Sequence, residues 1–167
     1  QTSNPLNKWS KLIKKISGKR NKTDADYEEM SRLEWEASLY LFDGKPCFPP
    51  DNVQRMLFDA AKKIKLGQLV KTGIIVEDPA IIVYDGPTNI SDLWDDERFR
   101  LVSRVIINRN AVMRTRARFA PWSTTLNIPY DPQILDHDQV SQIVKIAGES
   151  IGLSDWRPKY GRFAIVK

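Results

Sequence analysis

The apolar residues of this chain change their spacing from one stretch to the next, and that change restricts it to a mixed helix-and-strand fold. Leu6, Trp9, Leu12, Ile13 and Ile16 recur at helical spacing until Gly18 ends the run. Pro49-Pro50-Asp51 opens a second helix whose continuous apolar face is Val53, Met56, Leu57, Ala60, Ala61 and Ile64, before Gly67 and Gly73 break it. A third helix is expected from Asp136 as N-cap with Gln139 three residues on; Val140, Ile143, Val144, Ala147 and Ile151 form its stripe. Elsewhere the period is two. Trp122, Thr124, Leu126, Ile128 and Tyr130 alternate with Ser123, Thr125 and Asn127, the pattern of a half-buried strand.

The remaining segments follow the same two rules. Thr23 and Asp26 form a capping box that opens a helical turn through Tyr27, Met30 and Leu33. From Glu34 the pattern predicts a strand, with Trp35, Ala37, Leu39 and Leu41 on one side, and Asp43-Gly44 turns the chain. Segments 73–76 and 80–84 read as β, 85–97 as a loop or short helical turn, and 102–107 and 111–119 as strands around Asn108-Arg109-Asn110. A short strand over 162–166 closes the chain. The order is β-α-β, an inserted ribbon, then β-α-β. It predicts an α+β fold, a ferredoxin-like split β-α-β sandwich with an inserted Arg-rich β ribbon and an N-terminal helical extension. The expected organisation is a basic helical extension over 1–33 and one ferredoxin-like domain over 34–167.

Composition narrows the setting. A chain of 167 residues suits one domain with a real core. No apolar stretch approaches the roughly 18 residues that span a bilayer, and no apolar leader is present, so a cytoplasmic protein without a membrane partner is expected. A single cysteine, Cys47, forms no internal disulfide and has no metal-ligand spacing around it.

The net charge of +5 is unevenly spread. Lys8, Lys11, Lys14, Lys15, Lys19, Arg20 and Lys22 precede an acidic stretch that holds Asp24, Asp26, Glu28, Glu29, Glu34 and Glu36. Between Glu97 and Asp131 there is no acid, while Arg98, Arg100, Arg104, Arg109, Arg114, Arg116 and Arg118 occur. In an extended chain Arg114, Arg116 and Arg118 share a face about 7 Å apart, at roughly 3.3 Å rise per residue. That spacing is close to the phosphate repeat of an extended single strand, and arginine favours bidentate and stacking contacts. The competing reading is a solvated sheet face paired with the acids of 95–97 or 24–36.

The end of the chain carries a second basic cluster. Trp156, Arg157, Lys159, Tyr160 and Arg162 lie on a connection punctuated by Gly152 and Gly161. Cations interleaved with rings neutralise phosphate and stack on bases. The ribbon and this loop are expected to share one open surface, with Arg109 and Trp122 contributing.

Signals for catalysis are weak. His137, the only histidine, sits between two acids at a helix start, and Asp92, Asp95, Asp96 and Glu97 read as a solvated polar loop. There is no Gly-rich phosphate loop, nucleophile elbow or paired-histidine motif, so no enzyme and no cofactor are expected. A metal-dependent nuclease built on Asp95, Asp96 and Asp131 is the weakest reading.

Two segments together resemble the RAMP superfamily, the ferredoxin-like RNA-binding proteins of CRISPR effector complexes. Phe48-Pro49-Pro50-Asp51-Asn52-Val53-Gln54-Arg55-Met56-Leu57 is similar to the passage from that superfamily's first strand into its first helix. Ile151-Gly152 followed by Tyr160-Gly161-Arg162-Phe163 is similar to its C-terminal glycine-rich loop, though with fewer glycines. The resemblance implies that Gly152, Arg157, Lys159, Gly161 and Arg162 approach RNA backbone. The run from Lys22-Thr23-Asp24 through Glu34-Trp35 to Asp155-Trp156-Arg157-Pro158 also resembles a widespread group of phage and prophage proteins.

Together these readings predict a non-enzymatic module for single-stranded nucleic acid, RNA rather than DNA. The alternative is a phage assembly component, or a decoy docking on a host nucleoprotein complex. Its contacts would be the apolar stripe of the first helix and exposed aromatics, with a homo-oligomer as one form.

Overall fold

The computed structural model describes residues 4–107, 109–154 and 156–166. The helices are α1 (Lys8–Ser17), α2 (Asp24–Ser38), α3 (Pro50–Lys63), α4 (Gly67–Gly73), α5 (Ile90–Asp95) and α6 (His137–Ile146). The strands are β1 (Leu41–Phe42), β2 (Lys45–Phe48), β3 (Ala80–Ile81), β4 (Arg100–Ile107) and β5 (Asn110–Ala117). A 3-10 turn (Glu97–Phe99) leads into β4 and a π turn (Ala147–Ile151) prolongs α6. This is an α+β chain. It divides into two units, Gln1–Pro46 with Val83–Ser123, and Cys47–Ile82 with Thr124–Lys167.

In the first unit, Asn7 caps α1 by accepting from the Trp9 N–H, and α1 packs on α2 with Ile16 buried. The capping box at Thr23 and Asp26 forms as expected. The strand expected from Glu34 does not form, because α2 runs on to Ser38. What reads as alternation is the helix burying Glu34, Trp35 and Ala37 together. Trp35 is fully buried, its ring edge-on to Trp94 at 5.6 Å and its Nε1–H donating to the Phe99 carbonyl at 2.8 Å. Leu39, Leu93 and Phe99 complete this core, with Tyr84 and Phe119 tilted against Phe99. Gly86 is required there, since a Cβ would sit 2.3 Å from the Phe99 ring.

β4 and β5 pair antiparallel without a bulge, from Arg100 opposite Ala117 to Ile107 opposite Asn110. Asn108, part of the expected turn, lies outside the described residues; Arg109 beside it has φ 68°. The outer edge of β5 is sealed by α2. The Thr115 N–H donates to Glu34 Oε2 at 3.0 Å and the Ala117 N–H to Ser38 Oγ at 2.8 Å.

In the second unit, α3 begins at Pro50, where a missing N–H costs nothing, and buries Val53, Met56, Leu57, Ala60 and Ala61 as predicted. Gln54 uses both ends of its amide on the next segment, donating to the Ile74 carbonyl and accepting from the Val76 N–H, each at 2.9 Å. Cys47 and Phe48 pair with Ile81 and Ala80, whereas Lys45 and Pro46 of the same strand pair with Phe42 and Leu41 in the first unit. Segment 73–76 forms only a bridge, Ile74 to Tyr130. The stretch 122–130 keeps its alternating exposure but is bridged only at Ser123 and Tyr130, so the predicted strand is extended chain without a ladder. The terminal strand over 162–166 is likewise not formed; the Phe163 N–H donates to the Gly148 carbonyl instead. Asp136 and Gln139 cap α6 reciprocally as expected.

Candidate nucleic-acid interface

The ribbon arginines have unequal fates. Arg114 and Arg116 share a face of β5, opposite Ser103 and Leu101. The Arg114 guanidinium is tied to the buried Glu34 carboxylate, one of the acids of 24–36 that the competing reading named. Losing either member would strand a charge or the Thr115 N–H, so this pair belongs to the framework of α2 against β5. Arg116 is half-buried and donates to the Thr115 carbonyl. Arg118 lies just beyond β5, exposed, its N–H donating to the Phe99 carbonyl, and Arg109 is exposed at the hairpin turn. An evenly spaced row of open guanidinium groups is therefore not what β5 presents. Trp122 is half-buried in the first unit.

The terminal loop belongs to the second unit and is built differently. The Leu153 N–H donates to the Gly161 carbonyl at 2.9 Å, joining the two ends of the loop beside the fully buried Leu153 side chain. Gly161, at φ 76°, permits this closure: a Cβ there would lie 1.9 Å from the Leu153 oxygen. Within the loop Ser154 and Trp156 hold left-handed angles of 67° and 59°. A bulky side chain in that region costs on the order of 1–3 kcal/mol and collects at ligand sites. Asp155 lies outside the described residues.

The strained Trp156 is 39% exposed, with its ring stacked on Tyr160 at 6.0 Å and 29°. Lys159 Nζ lies 5.5 Å from the Tyr160 ring centre. Arg162 donates from Nε to the Pro158 carbonyl, so its role is to brace the loop. Arg157 reaches α3, where its Nη2 lies 3.5 Å from Asp59 Oδ2, and Arg55 donates from Nε to the same oxygen at 2.9 Å. Asn52, Arg55, Ser154, Trp156 and Arg157 line a cleft of about 290 Å³. Among the described residues, two guanidinium groups share one carboxylate there, beside a part-exposed indole.

The cleft brings together Trp156 and Arg157 of the expected set; Tyr160 stacks on the indole and Lys159 lies by the Tyr160 ring, and Gly161 and Arg162 serve as the scaffold of the loop. Asn52, Arg55 and Ser154 line the cleft outside the expected set, the first two within the segment 48–57 that resembles a strand-to-helix passage. Their signal is local: Arg55 and Asp59 stand four apart on the face of α3 opposite its apolar stripe.

Among the described residues no three His, Cys, Asp or Glu side chains gather into a metal-binding group. Arg98 hydrogen-bonds Asp96 at 2.7 Å and holds its carboxyl below the ordinary range. Asp95 and Asp96 lie in the first unit and Asp131 in the second. Cys47 is buried, which pushes its thiol pKa up and leaves it unreactive. No described helix is long and apolar enough to cross a membrane. The chain matches no family model, no curated protein and no solved structure.

Proposed function

We propose that this chain is a non-enzymatic module for single-stranded nucleic acid, RNA in preference to DNA, engaged through the terminal-loop cleft of the second unit. The observation that carries the reading is Trp156, exposed, held at a strained backbone angle, stacked on Tyr160 and lining one cleft with Arg157 and Arg55. A base stacks on the indole face and the phosphates on either side meet the guanidinium and ammonium groups. Entry of phosphate exchanges one charge-assisted contact of Arg157 or Arg55, to Asp59, for another, to phosphate. Exposed Arg109 and Arg118 add unspecific positive charge to the chain.

The likeness to ferredoxin-like RNA-binding proteins belongs to this proposal. It is supported by β2 leading into α3 and by β3 lying antiparallel beside β2, where such a fold sets its third strand against its first. A phage or CRISPR-related setting rests on the sequence resemblance alone. The assembly reading has less behind its first contact, because α1 already spends Ile16 on α2, although Leu6 and Leu12 stay exposed.

The test is titration of the protein with a fluorescently labelled oligonucleotide of single-stranded RNA at several salt concentrations. Affinity should fall with salt, and Arg55→Ala with Arg157→Ala should reduce the log–log slope by about 1 per residue, fewer than two units in all if Asp59 retains one of them. An unchanged slope in the double variant removes the cleft as the site.

A further inference from the structure

The hairpin of the first unit has one sealed edge and one open edge. On β5 the outward N–H groups of Thr115 and Ala117 are taken by Glu34 and Ser38 of α2. In an antiparallel pair, residues directly opposite one another point their N–H and C=O groups the same way relative to the ladder. Val102, opposite Thr115, therefore points its backbone groups away from β5, and so do Arg104 and Ile106 in the same alternation. Arg100, next in that series, has its N–H bonded to the Glu97 carbonyl. β4 has β5 as its only strand neighbour among the described residues. Long edges are usually blunted by a charged side chain, a proline, a bulge or a covering element; β4 carries Arg104 on this edge but contains no proline, and its register runs unbroken.

The side chains along this edge are also unsatisfied. Val102 is 54% exposed, Ile106 76%, and Met113, opposite Arg104, 56%. Arg104 lies exposed between Val102 and Ile106 on the same face. The surface thus alternates apolar, cationic, apolar, with a row of backbone donors and acceptors beside it. No acid occurs between Glu97 and Asp131 to answer the charge from within the hairpin.

We propose that the outer edge of β4 takes up an extended acidic segment of a partner protein as an added strand. Its backbone completes the hydrogen bonds of Val102, Arg104 and Ile106, a carboxylate stands beside Arg104, and apolar residues cover Val102 and Ile106. Charge decides between occupants. A second copy of β4 would set Arg100 and Arg104 of each chain near those of the other. A nucleic acid would bring phosphates to backbone carbonyls and leave Val102, Ile106 and Met113 uncovered. An acidic strand meets all three features at once.

The test uses the full chain, isotopically labelled, and a synthetic peptide of about ten residues in which Val and Glu take turns at every second position with Ser between them, so that both fall on one face. Adding it should protect the amides of Val102, Arg104 and Ile106 from hydrogen exchange. The same peptide with alternate amides N-methylated should not bind. Arg104→Glu should weaken the acidic peptide about tenfold and improve a peptide with Lys in place of Glu. Val102→Pro, tolerated where the N–H faces outward, should abolish uptake. Any of three results overturns the proposal: equal binding of the N-methylated peptide, protection that rises with protein concentration without peptide, or protection by an oligonucleotide and not by the peptide.

Discussion

The two arginine-bearing regions of this chain use the same residue types to opposite ends. On β5, Arg114 is spent on the buried Glu34 carboxylate, which also accepts the Thr115 N–H, so the charge fastens a strand to a helix. In the terminal loop, Arg157 and Arg55 share the partly exposed Asp59 carboxylate and flank an open indole. A guanidinium beside a desolvated, fully engaged acid is part of the framework. One sharing a partly exposed acid with a second guanidinium is less firmly committed, which is what the proposed ligand exchange requires.

That contrast breaks most sharply at Glu34. Glu34→Ala leaves the Arg114 guanidinium and the Thr115 N–H without their acceptor, and should cost about 2–3 kcal/mol of stability in urea unfolding, while oligonucleotide affinity of the folded protein stays within twofold. A variant as stable as the parent would mean that Arg114 is held by something other than this pair. On the other side, Trp156→Ala should leave stability nearly unchanged, because the indole is part-exposed and alanine's Cβ keeps the left-handed backbone as it was. The same change should weaken oligonucleotide binding about tenfold, for the loss of roughly 1–3 kcal/mol of base stacking. Equal affinities for parent and variant would move the site away from the loop.

The smallest effect concerns the link between α1 and α2. Lys19 donates to Asp26, holding that carboxyl below its ordinary pKa, with the Thr23 N–H as the second cause. A lowered carboxyl contributes stability that is full above its unfolded value, about pH 4, and is lost as pH falls through the folded value. Lys19 is raised by the same contact, and its share is full at neutral pH and lost only under strongly basic conditions. The stability difference between the parent and Asp26→Asn should therefore shrink on acidification below about pH 4. A difference that does not change with pH would show that Asp26 acts only as a helix cap.

Much of the helical content was legible from the residues. Gly18 after the first stripe, Thr23 with Asp26, Pro49-Pro50 before Val53, and Asp136 with Gln139 are short-range signals, and each marks a helix end in the fold. Trp35 misled because Ala37 and Leu39 follow it at spacing two, which a strand and the last turn of a buried helix share. The side chains that seat Trp35, namely Trp94 and Phe99, lie some 60 residues further along. The stretch from Trp122 to Tyr130 shows the converse: its alternation predicted facing correctly, but a ladder needs a neighbouring strand that the alternation does not specify.

The candidate site divides in the same way. Trp156, Arg157, Lys159 and Tyr160 are adjacent in the chain, and glycines at 152 and 161 announce a tight loop, so the cluster could be found by reading alone. Arg55 and Asp59 come from a helix about a hundred residues earlier and join it only by packing.

Residue order by itself determined the α+β class, the helix boundaries set by caps, and the existence of two basic clusters, because these depend on contacts within a few positions. Tertiary structure alone decided which cations are spent. Glu34 stands 81 residues from the N–H it accepts, and only the closing of that distance converts one arginine from a ligand into a brace.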